Sequence, residues 1–300
     1  MDRPITHSFA DDTTHSLAVL GQTHQELCTE NLAPSANGML LHTCHRVEWY
    51  AVGNSDSPVR ILENRLRTTG RHEALTRLAQ IAAGTRSMIL GERFVQRQVH
   101  EAANRLGPDH PLSQLAADAL LLAERARQEF DLYAKVDYSD LPQLLLGRHS
   151  DNEARKLLIV GGGMLARAIA AAPPSGYDRV VMMTRGPRKL RRMMDGLDTV
   201  TVVRSPSLAR ALDGQPHDTV IATTNLPADY QSQVVDATRS PLSRGVVDLC
   251  CVPVLDERPL GYRHLYDPDV LHTLKAANRD MTERATLARQ WVAQHAEVCA

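Results

Sequence analysis

The second half of the chain alternates short apolar runs with stretches of helical periodicity. The runs have strand length, contain few polar residues and are bounded by glycine, proline or polar residues, which is typical of strands buried on both faces. Helical segments between such strands are characteristic of a parallel sheet. The pattern therefore predicts an α/β domain with strands at Lys156–Val160, Arg179–Thr184, Thr199–Val203, Thr219–Ala222 and Gly245–Leu249.

The first half mixes strand and helix periods. Met39–Val52 contains an apolar, aromatic-rich strand, whereas Ser16–Leu20 fits either a strand or the start of a helix. Apolar residues at helical spacing predict a series of helices, and the last of these is a single long one. The predicted helices are Ser57–Thr69, His72–Ala83, Glu92–Leu106, Leu112–Asp131 and Asp267–Val298.

These elements predict a chain of α/β class with three parts. An α+β N-terminal domain covers residues 1–150 and ends at the polar linker Gly147–Glu153, and the parallel-sheet domain covers residues 151–264. Residues 265–300 form the long helix, which has no partner of its own in the sequence. It must pack along the two domains or against another chain.

Composition narrows the class of protein. Apolar residues are 43% and charged residues 23% of 300 residues, as in ordinary globular proteins, and a net charge of −1 gives no global attraction for nucleic acid. Five cysteines without framework spacing favour a reducing compartment. There is no apolar signal-peptide core and no run of membrane-spanning length, so we expect a cytoplasmic protein without membrane contact.

The segment Leu41–Tyr50 carries the most unusual side chains. Interpreted as one strand, it places His42, Cys44, Arg46 and Glu48 on the same face. A thiol beside a fixed cation suits nucleophilic attack on the carbonyl of an anionic substrate. Two alternatives remain, since a cysteine is often a small core residue and a charged strand face can be half solvated. Zinc is disfavoured, because no second Cys or His pair follows at a ligand spacing.

A glycine-rich turn follows the first strand of the second domain. Gly161, Gly163 and Ala166 fit the pattern GxGxxA, and Gly162 and Met164 complete the turn and open the helix. The first glycine permits the tight turn, the second lets a pyrophosphate approach the backbone, and the third small residue lets helix and strand pack. The sequence therefore predicts a dinucleotide site at this helix N-terminus.

The end of the second strand indicates which dinucleotide. An acidic residue there binds the ribose hydroxyl of NAD, whereas this chain has Thr184 and then the cations Arg185, Arg188 and Lys189. Cations suit the 2′-phosphate of NADP, although a charge run is often only a solvated face. We therefore expect NADPH as the cofactor.

Together these motifs resemble those of glutamyl-tRNA reductases. The family strand TCNRxExY is similar to residues 43–50, TCHRVEWY, and the family segment GLDSMxxGExQIxGQV is similar to residues 84–99, GTRSMILGERFVQRQV. A VDL strand at residues 247–249 is followed by Pro253, and Leu265–Asp267 leads into what resembles the family's spinal helix. The resemblance covers nearly the whole chain.

The resemblance implies a reaction and a set of site residues. Cys44 would attack the ester carbonyl of an aminoacyl-tRNA, and the resulting thioester would be reduced by NADPH to an α-amino aldehyde such as glutamate-1-semialdehyde for tetrapyrrole synthesis. An aldehyde-using enzyme such as an aminomutase would be a downstream partner. The residues implied to bind the substrate are Arg46, Glu48, Ser87, Glu92 and Gln98.

The sequence also departs from the family. The family's active-site histidine is replaced by Arg77, the Asn before Arg46 by His45, and the family's N-terminal segment is weakly visible at Ile5–Ser8. The chain is expected to end inside the spinal helix, before the family's dimerisation domain. With the histidine replaced, His42 is the best candidate base. Two alternatives stay open: a reductase of a non-tRNA acyl thioester, and a non-catalytic homologue that binds tRNA or a true reductase.

Overall fold

The computed structural model describes residues 4–30, 38–53, 56–62, 67–146, 155–224 and 226–299, so the predicted linker 147–153 lies outside the described residues. The chain forms two compact units. Unit 1 comprises Met1–Lys135 and Lys275–Ala300, and unit 2 comprises Val136–Leu274. The first division therefore falls before the predicted residue 150. The C-terminal helix belongs with the first unit because its apolar side completes that unit's core.

Unit 1 contains a four-stranded antiparallel sheet in the order β2-β3-β1-β4. Its strands are β1 (Ile5–Asp11), β2 (Gly38–Thr43), β3 (Arg46–Val52) and β4 (Arg67–Thr69). Strand β1, for which the sequence signal is weak, pairs with both β3 and β4 and lies inside the sheet.

Helices cover both faces of this sheet. Helix α1 (Leu17–Glu30) lies on one face over Val47, Trp49 and Ala51. The other face packs on a larger apolar core that includes Leu41 and Tyr50. That core is supplied by α2 (Arg71–Ala82), α3 (Phe94–Ala103), α4 (Pro111–Glu129) and α11 (Met281–Cys299).

Three predicted elements differ from the structure. The single strand over residues 41–50 is a hairpin, because the chain turns at Cys44 and His45. The predicted helix Ser57–Thr69 is wrong at its end, where Arg67–Thr69 pairs with β1. The long C-terminal helix is two helices, α10 (Pro268–Ala277) and α11, and the side chain of Asn278 at the break accepts a hydrogen bond from the backbone N–H of Lys135 at 2.9 Å.

Unit 2 contains a six-stranded sheet in the order β10-β9-β8-β5-β6-β7, and every pair of neighbours is parallel. Counted from β5, this is the doubly wound order 3-2-1-4-5-6 in reverse. The predicted α/β class with a parallel sheet is therefore confirmed. The strands are β5 (Lys156–Val160), β6 (Arg179–Met183), β7 (Val200–Val203), β8 (His217–Ile221), β9 (Ser243–Asp248) and β10 (Tyr262–His264).

The helices of unit 2 alternate with its strands, as the crossovers of a parallel sheet require. They are α5 (Leu141–Leu146), α6 (Met164–Ala171), α7 (Pro187–Met193), α8 (Leu208–Leu212), α9 (Ala228–Arg239) and most of α10. Within the described ranges of both units, no helix has the length and apolarity needed to cross a membrane.

Candidate functional site

The candidate nucleophile lies in the turn between β2 and β3. Cys44 is partly exposed, and the next residue, His45, is buried. The hydroxyl oxygen of Thr43 accepts a hydrogen bond from the backbone N–H of His45 at 3.1 Å, which stabilises the turn. A turn at the end of two paired strands presents a thiol more freely than a strand interior would.

The hairpin separates residues that the sequence had placed together. Thr43 pairs with Arg46, and His42 pairs with Val47. Because directly opposed residues of an antiparallel pair project to the same side, His42 lies on the α1 face, whereas Arg46 and Glu48 lie on the other. The prediction that His42 shares a face with Arg46 and Glu48 is therefore wrong. The chain reverses direction at Cys44 and His45, so the alternation of a single strand does not continue from His42 to Arg46.

Arg46 is the cation that follows the turn. The residue is only 2% exposed, and its Nη2 donates to the backbone carbonyl of Arg86. Its Nη1 is buried and has no hydrogen-bond partner among the described residues. A buried guanidinium with an unused donor is costly unless it receives an acceptor, so Arg46 is suited to bind an incoming carboxylate or carbonyl oxygen.

Glu48 is fully occupied by neighbouring side chains. Its Oε2 lies 2.9 Å from His7 Nε2 and accepts a hydrogen bond from the Tyr50 hydroxyl at 2.8 Å. Arg77 on α2 donates from Nη2 to Glu48 Oε1 and to Asp11 Oδ2, both at 2.8 Å. Glu48 is thus the centre of a buried ion-pair network.

Electrostatics keeps this network charged. Burial alone would raise the pKa of Glu48, but the His7 hydrogen bond and the Arg77 charge lower that pKa well below its ordinary value. Burial likewise opposes ionisation of Asp11, and the hydrogen bonds from Thr13 and Arg77 lower its pKa. The pKa of Arg77 is raised, because the attraction of Glu48 outweighs desolvation. Glu48 is therefore an ionised structural partner of Arg77.

The residues of the second family-like segment lie around the start of α3. Glu92 is buried and accepts hydrogen bonds from the backbone N–H groups of Phe94 and Val95, so it caps the first turn of the helix. Its Oε1 also accepts from the Ser87 hydroxyl at 3.3 Å. Gln98 is half-buried further along α3. Glu92 therefore caps α3 in this structure, a role that suits a carboxylate side chain.

The α1 face holds a cluster that the sequence reasoning missed. His24 is buried on α1, and its Nδ1 lies 2.9 Å from Nδ1 of His42. Cys28 follows four residues later on the same helix, with its Sγ 3.9 Å from His24 Nε2. The Cys44 thiol also lies within 4.8 Å of a ring nitrogen of His24. The i, i+4 spacing of His24 and Cys28 was the available signal, since it predicts a shared helix face.

Burial governs the protonation of these imidazoles. It lowers the pKa of His24 to about 3, with a further contribution from the neighbouring His42. Burial and the charge of Arg105 lower the pKa of His42 to about 4, and burial and Arg46 do the same for His45. All three rings are therefore neutral near pH 7 and are weak bases.

The glycine turn of unit 2 connects β5 to α6. Gly161 has φ +135°, and a Cβ there would collide with the carbonyl oxygen of Ala222, which follows β8. A Cβ on Gly162 would lie 2.9 Å from the Thr184 hydroxyl, whereas one on Gly163 would meet nothing within 4 Å. The turn is thus closed on the sheet side and open at the N-terminus of α6, where an anion can approach.

The predicted cofactor residues after β6 are divided between the turn and the surface. Thr184 directly follows β6 beside Gly162, and Arg185 comes next as an exposed residue. Arg188 and Lys189 are exposed on α7, and Met164 is the half-buried first residue of α6. These cations lie after the second strand of the doubly wound order, on the α7 side of the glycine turn.

Comparison with known proteins connects these features to one family. Residues 5–130 match the family described as "Glutamyl-tRNAGlu reductase, N-terminal domain". "Protein nfe2" of Rhizobium meliloti is 28% identical over 257 residues, covering 82% of each chain. A glutamyl-tRNA reductase of Thermus thermophilus is 26% identical over 273 residues, which are 85% of this chain and 67% of that protein.

In other relatives the matched region is a smaller part of the whole protein. The glutamyl-tRNA reductase of Chloroflexus aurantiacus is 30% identical over 230 residues, covering 67% of this chain and 51% of its own length. A solved structure, "Glutamyl-tRNA Reductase from Methanopyrus kandleri", aligns with 99% of this chain and 78% of its own, at 19% identity and a TM-score of 0.45.

This is a two-unit protein. One unit has an antiparallel sheet with a thiol at a hairpin turn, and the other has a doubly wound parallel sheet with a glycine turn. Residues 5–130 of the first unit match the family of glutamyl-tRNA reductase N-terminal domains, and the chain is similar along most of its length to glutamyl-tRNA reductases.

Proposed function

We propose that this chain is a reductase that converts an aminoacyl-tRNA into an α-amino aldehyde through a thioester on Cys44. The Cys44 sulfur forms a bond to the ester carbonyl carbon, the bond from that carbon to the ribose oxygen breaks, and the thiol proton leaves with the tRNA. Glutamyl-tRNA is the expected substrate, and glutamate-1-semialdehyde the expected product, since glutamyl-tRNA reductases are among the relatives.

The unused donor of Arg46 is the observation that carries this proposal. A reductase of this type must orient an anionic acyl group beside its nucleophile, and Arg46 follows the Cys44 turn directly. Its Nη1 is buried without a hydrogen-bond partner in the described parts of the chain. A substrate carboxylate would supply that acceptor, and a charge-assisted hydrogen bond in a buried position is strong and directional.

NADPH fits the glycine turn of unit 2. Gly161 leaves no room for a side chain, Gly163 leaves open space, and Ala166 on α6 is fully buried. The N-terminus of α6 would hold the pyrophosphate, and Arg185 would bind the 2′-phosphate. When bound, NADPH supplies the hydride that reduces the acyl group.

Proton handling in this chain differs from the expectation based on His42. His42 and His24 both lie on the α1 face, where their Nδ1 atoms are 2.9 Å apart, and a ring nitrogen of His24 lies within 4.8 Å of the Cys44 sulfur. Both imidazoles have lowered pKa values and are neutral at pH 7. We propose that the departing ribose oxygen, and not a side-chain base, is the main acceptor of the thiol proton.

The Arg77 network favours a second candidate, a non-catalytic homologue that binds tRNA or a true reductase. Arg77 occupies both Glu48 and Asp11, so these carboxylates are committed to the fold. A chain that had lost catalysis would keep such a stable domain without needing those groups for substrate.

The two candidates are separated by an assay with NADPH and a panel of charged tRNAs, with an acyl thioester as a further donor and trapping of the released aldehyde as the readout. We expect glutamyl-tRNA to give aldehyde and Cys44→Ser to lower the rate by at least about 100-fold. Cys299→Ser is the matched control and should leave the rate unchanged. A Cys44→Ser variant with near-normal activity would refute covalent catalysis, and no turnover of any donor would favour the binding homologue.

A further inference from the structure

Three side chains with metal-ligand atoms converge on the α1 face of the unit 1 sheet. His24 and Cys28 lie one turn apart on α1, and His42 lies on β2. Nδ1 of His24 is 2.9 Å from Nδ1 of His42 and 4.0 Å from Sγ of Cys28. All of the ligand atoms lie within 4.8 Å of one another.

These separations are close to those of a tetrahedral zinc site. Zinc–nitrogen bonds of about 2.0–2.1 Å and zinc–sulfur bonds of about 2.3 Å place ligand atoms about 3.3 Å (N to N) and about 3.6 Å (N to S) apart. The observed 2.9 Å and 4.0 Å each differ from these values by a few tenths of an ångström. The third pair, His42 and Cys28, lies within 4.8 Å, so side-chain rotations are needed to bring all three donor atoms to ligand distance of one ion.

The surroundings make this donor set unusual. The neighbouring side chains on this face form an apolar layer that includes Leu20, Leu27, Val47 and Trp49. Packing in such a layer does not call for two touching imidazoles and a thiol, whereas these nitrogen and sulfur donors are the ones that bind zinc in preference to magnesium or calcium. Cys28 is exposed, which gives an ion a path from solvent to the buried His24.

We propose that His24, Cys28 and His42 bind a Zn²⁺ ion as its three protein ligands, with water in the fourth position. The site is distinct from the reductase chemistry proposed above, and its test is independent of that activity. Because Cys44 Sγ lies within 4.8 Å of a His24 ring nitrogen, the bound ion stands beside the proposed nucleophile. Cys44 is not one of the three proposed ligands.

The test uses the full chain, stripped of metal under a reducing agent that does not bind metals. Zn²⁺ affinity is measured in competition with a chromogenic chelator, and Co²⁺ is used to observe the thiolate-to-cobalt charge-transfer absorption. We expect Cys28→Ser and His42→Ala each to weaken Zn²⁺ binding by at least about tenfold. Cys28→Ser should also remove the charge-transfer band. Cys44→Ser should keep both properties.

Matched controls are His100→Ala, which removes an exposed histidine of unit 1, and Cys299→Ser, and both should bind zinc like the unmodified chain. Zn²⁺ should also raise the Tm of the unmodified chain but not that of Cys28→Ser, whose exposed position tolerates serine. The proposal is overturned if the unmodified chain binds Zn²⁺ no more tightly than Cys28→Ser. It is also overturned if Cys44→Ser loses the charge-transfer band while Cys28→Ser keeps it.

Discussion

Replacing Arg77 with methionine is expected to destabilise unit 1 by about 3–5 kcal/mol at neutral pH, because it removes one partner of a buried ion pair. The Arg77 side chain is 11% exposed, and the Glu48 side chain is 0% exposed. Methionine keeps the apolar stem but, among the described residues, leaves Glu48 with His7 and Tyr50 as its hydrogen-bond partners. It also removes the contact between the Arg77 guanidinium and the Phe9 ring.

The loss should depend on pH in a defined direction. In the unmodified chain the pKa values of Glu48 and Asp11 are lowered, so their stabilisation is present above the unfolded pKa of about 4 and is lost as pH falls toward the folded values. Without Arg77, burial makes the Glu48 charge unfavourable and raises its pKa. The difference in stability between the two proteins is therefore largest near pH 7 and shrinks as pH falls below about 5.

Tryptophan fluorescence can follow unit 1 alone, since Trp49 and Trp291 are the only tryptophans of the chain and both belong to that unit. Urea unfolding at several pH values gives the free energy of each variant. Arg71→Met is the control, because the ion pair of Arg71 with Asp118 is partly exposed and should contribute at most about 1 kcal/mol.

Two results would contradict this reasoning. One is an Arg77→Met loss no larger than that of Arg71→Met, and the other is a loss that does not change with pH. A double variant, Arg77→Met with Glu48→Gln, should recover part of the lost stability, since it removes the uncompensated buried charge.

Two further predictions concern unit 2. Gly161→Ala should destabilise this unit by at least about 1–3 kcal/mol, because φ is positive there and the added Cβ would collide with Ala222. Gly163→Ala should be near neutral in the same thermal unfolding followed by circular dichroism. Similar Tm values for the two variants would refute the assignment of strain to Gly161. NADPH should bind more tightly than NADH in a fluorescence titration, and Arg185→Ala should reduce the difference by about 1–3 kcal/mol while Arg192→Ala does not. Equal affinity of the unmodified chain for both cofactors would contradict a role for Arg185.

The parallel sheet could be predicted because its information is local. Each strand is a continuous apolar run flanked by breakers, and the glycine turn at Gly161 needs only a few neighbouring residues to be recognised. The ends of some strands differ from their predicted ends by one or two residues. In β8, for example, pairing extends past the apolar run to His217 and Asp218.

The hairpin could not be predicted because its turn lacks the usual signals. The turn is formed by Cys44 and His45, so no glycine, asparagine or proline marks it in the sequence. Apolar or aromatic residues on both sides continue the strand-like character. Because this turn was not predicted, His42 was assigned to the face of Arg46 and Glu48, whereas it lies on the α1 face. The partners of that face, His24 and Cys28, come from a helix whose existence the sequence left undecided.

The order in which the chain leaves the ribosome has a consequence for this protein. Val136–Leu274 form a unit whose residues are contiguous, so it can fold without α11. Unit 1 begins the chain, yet its core includes Met281, Ala285, Ala288, Val292 and Ala296 of α11. The N-terminal domain is therefore completed last, and until then the apolar sides of α2 and α4 remain uncovered, so this unit is expected to be the one that needs chaperone protection during synthesis.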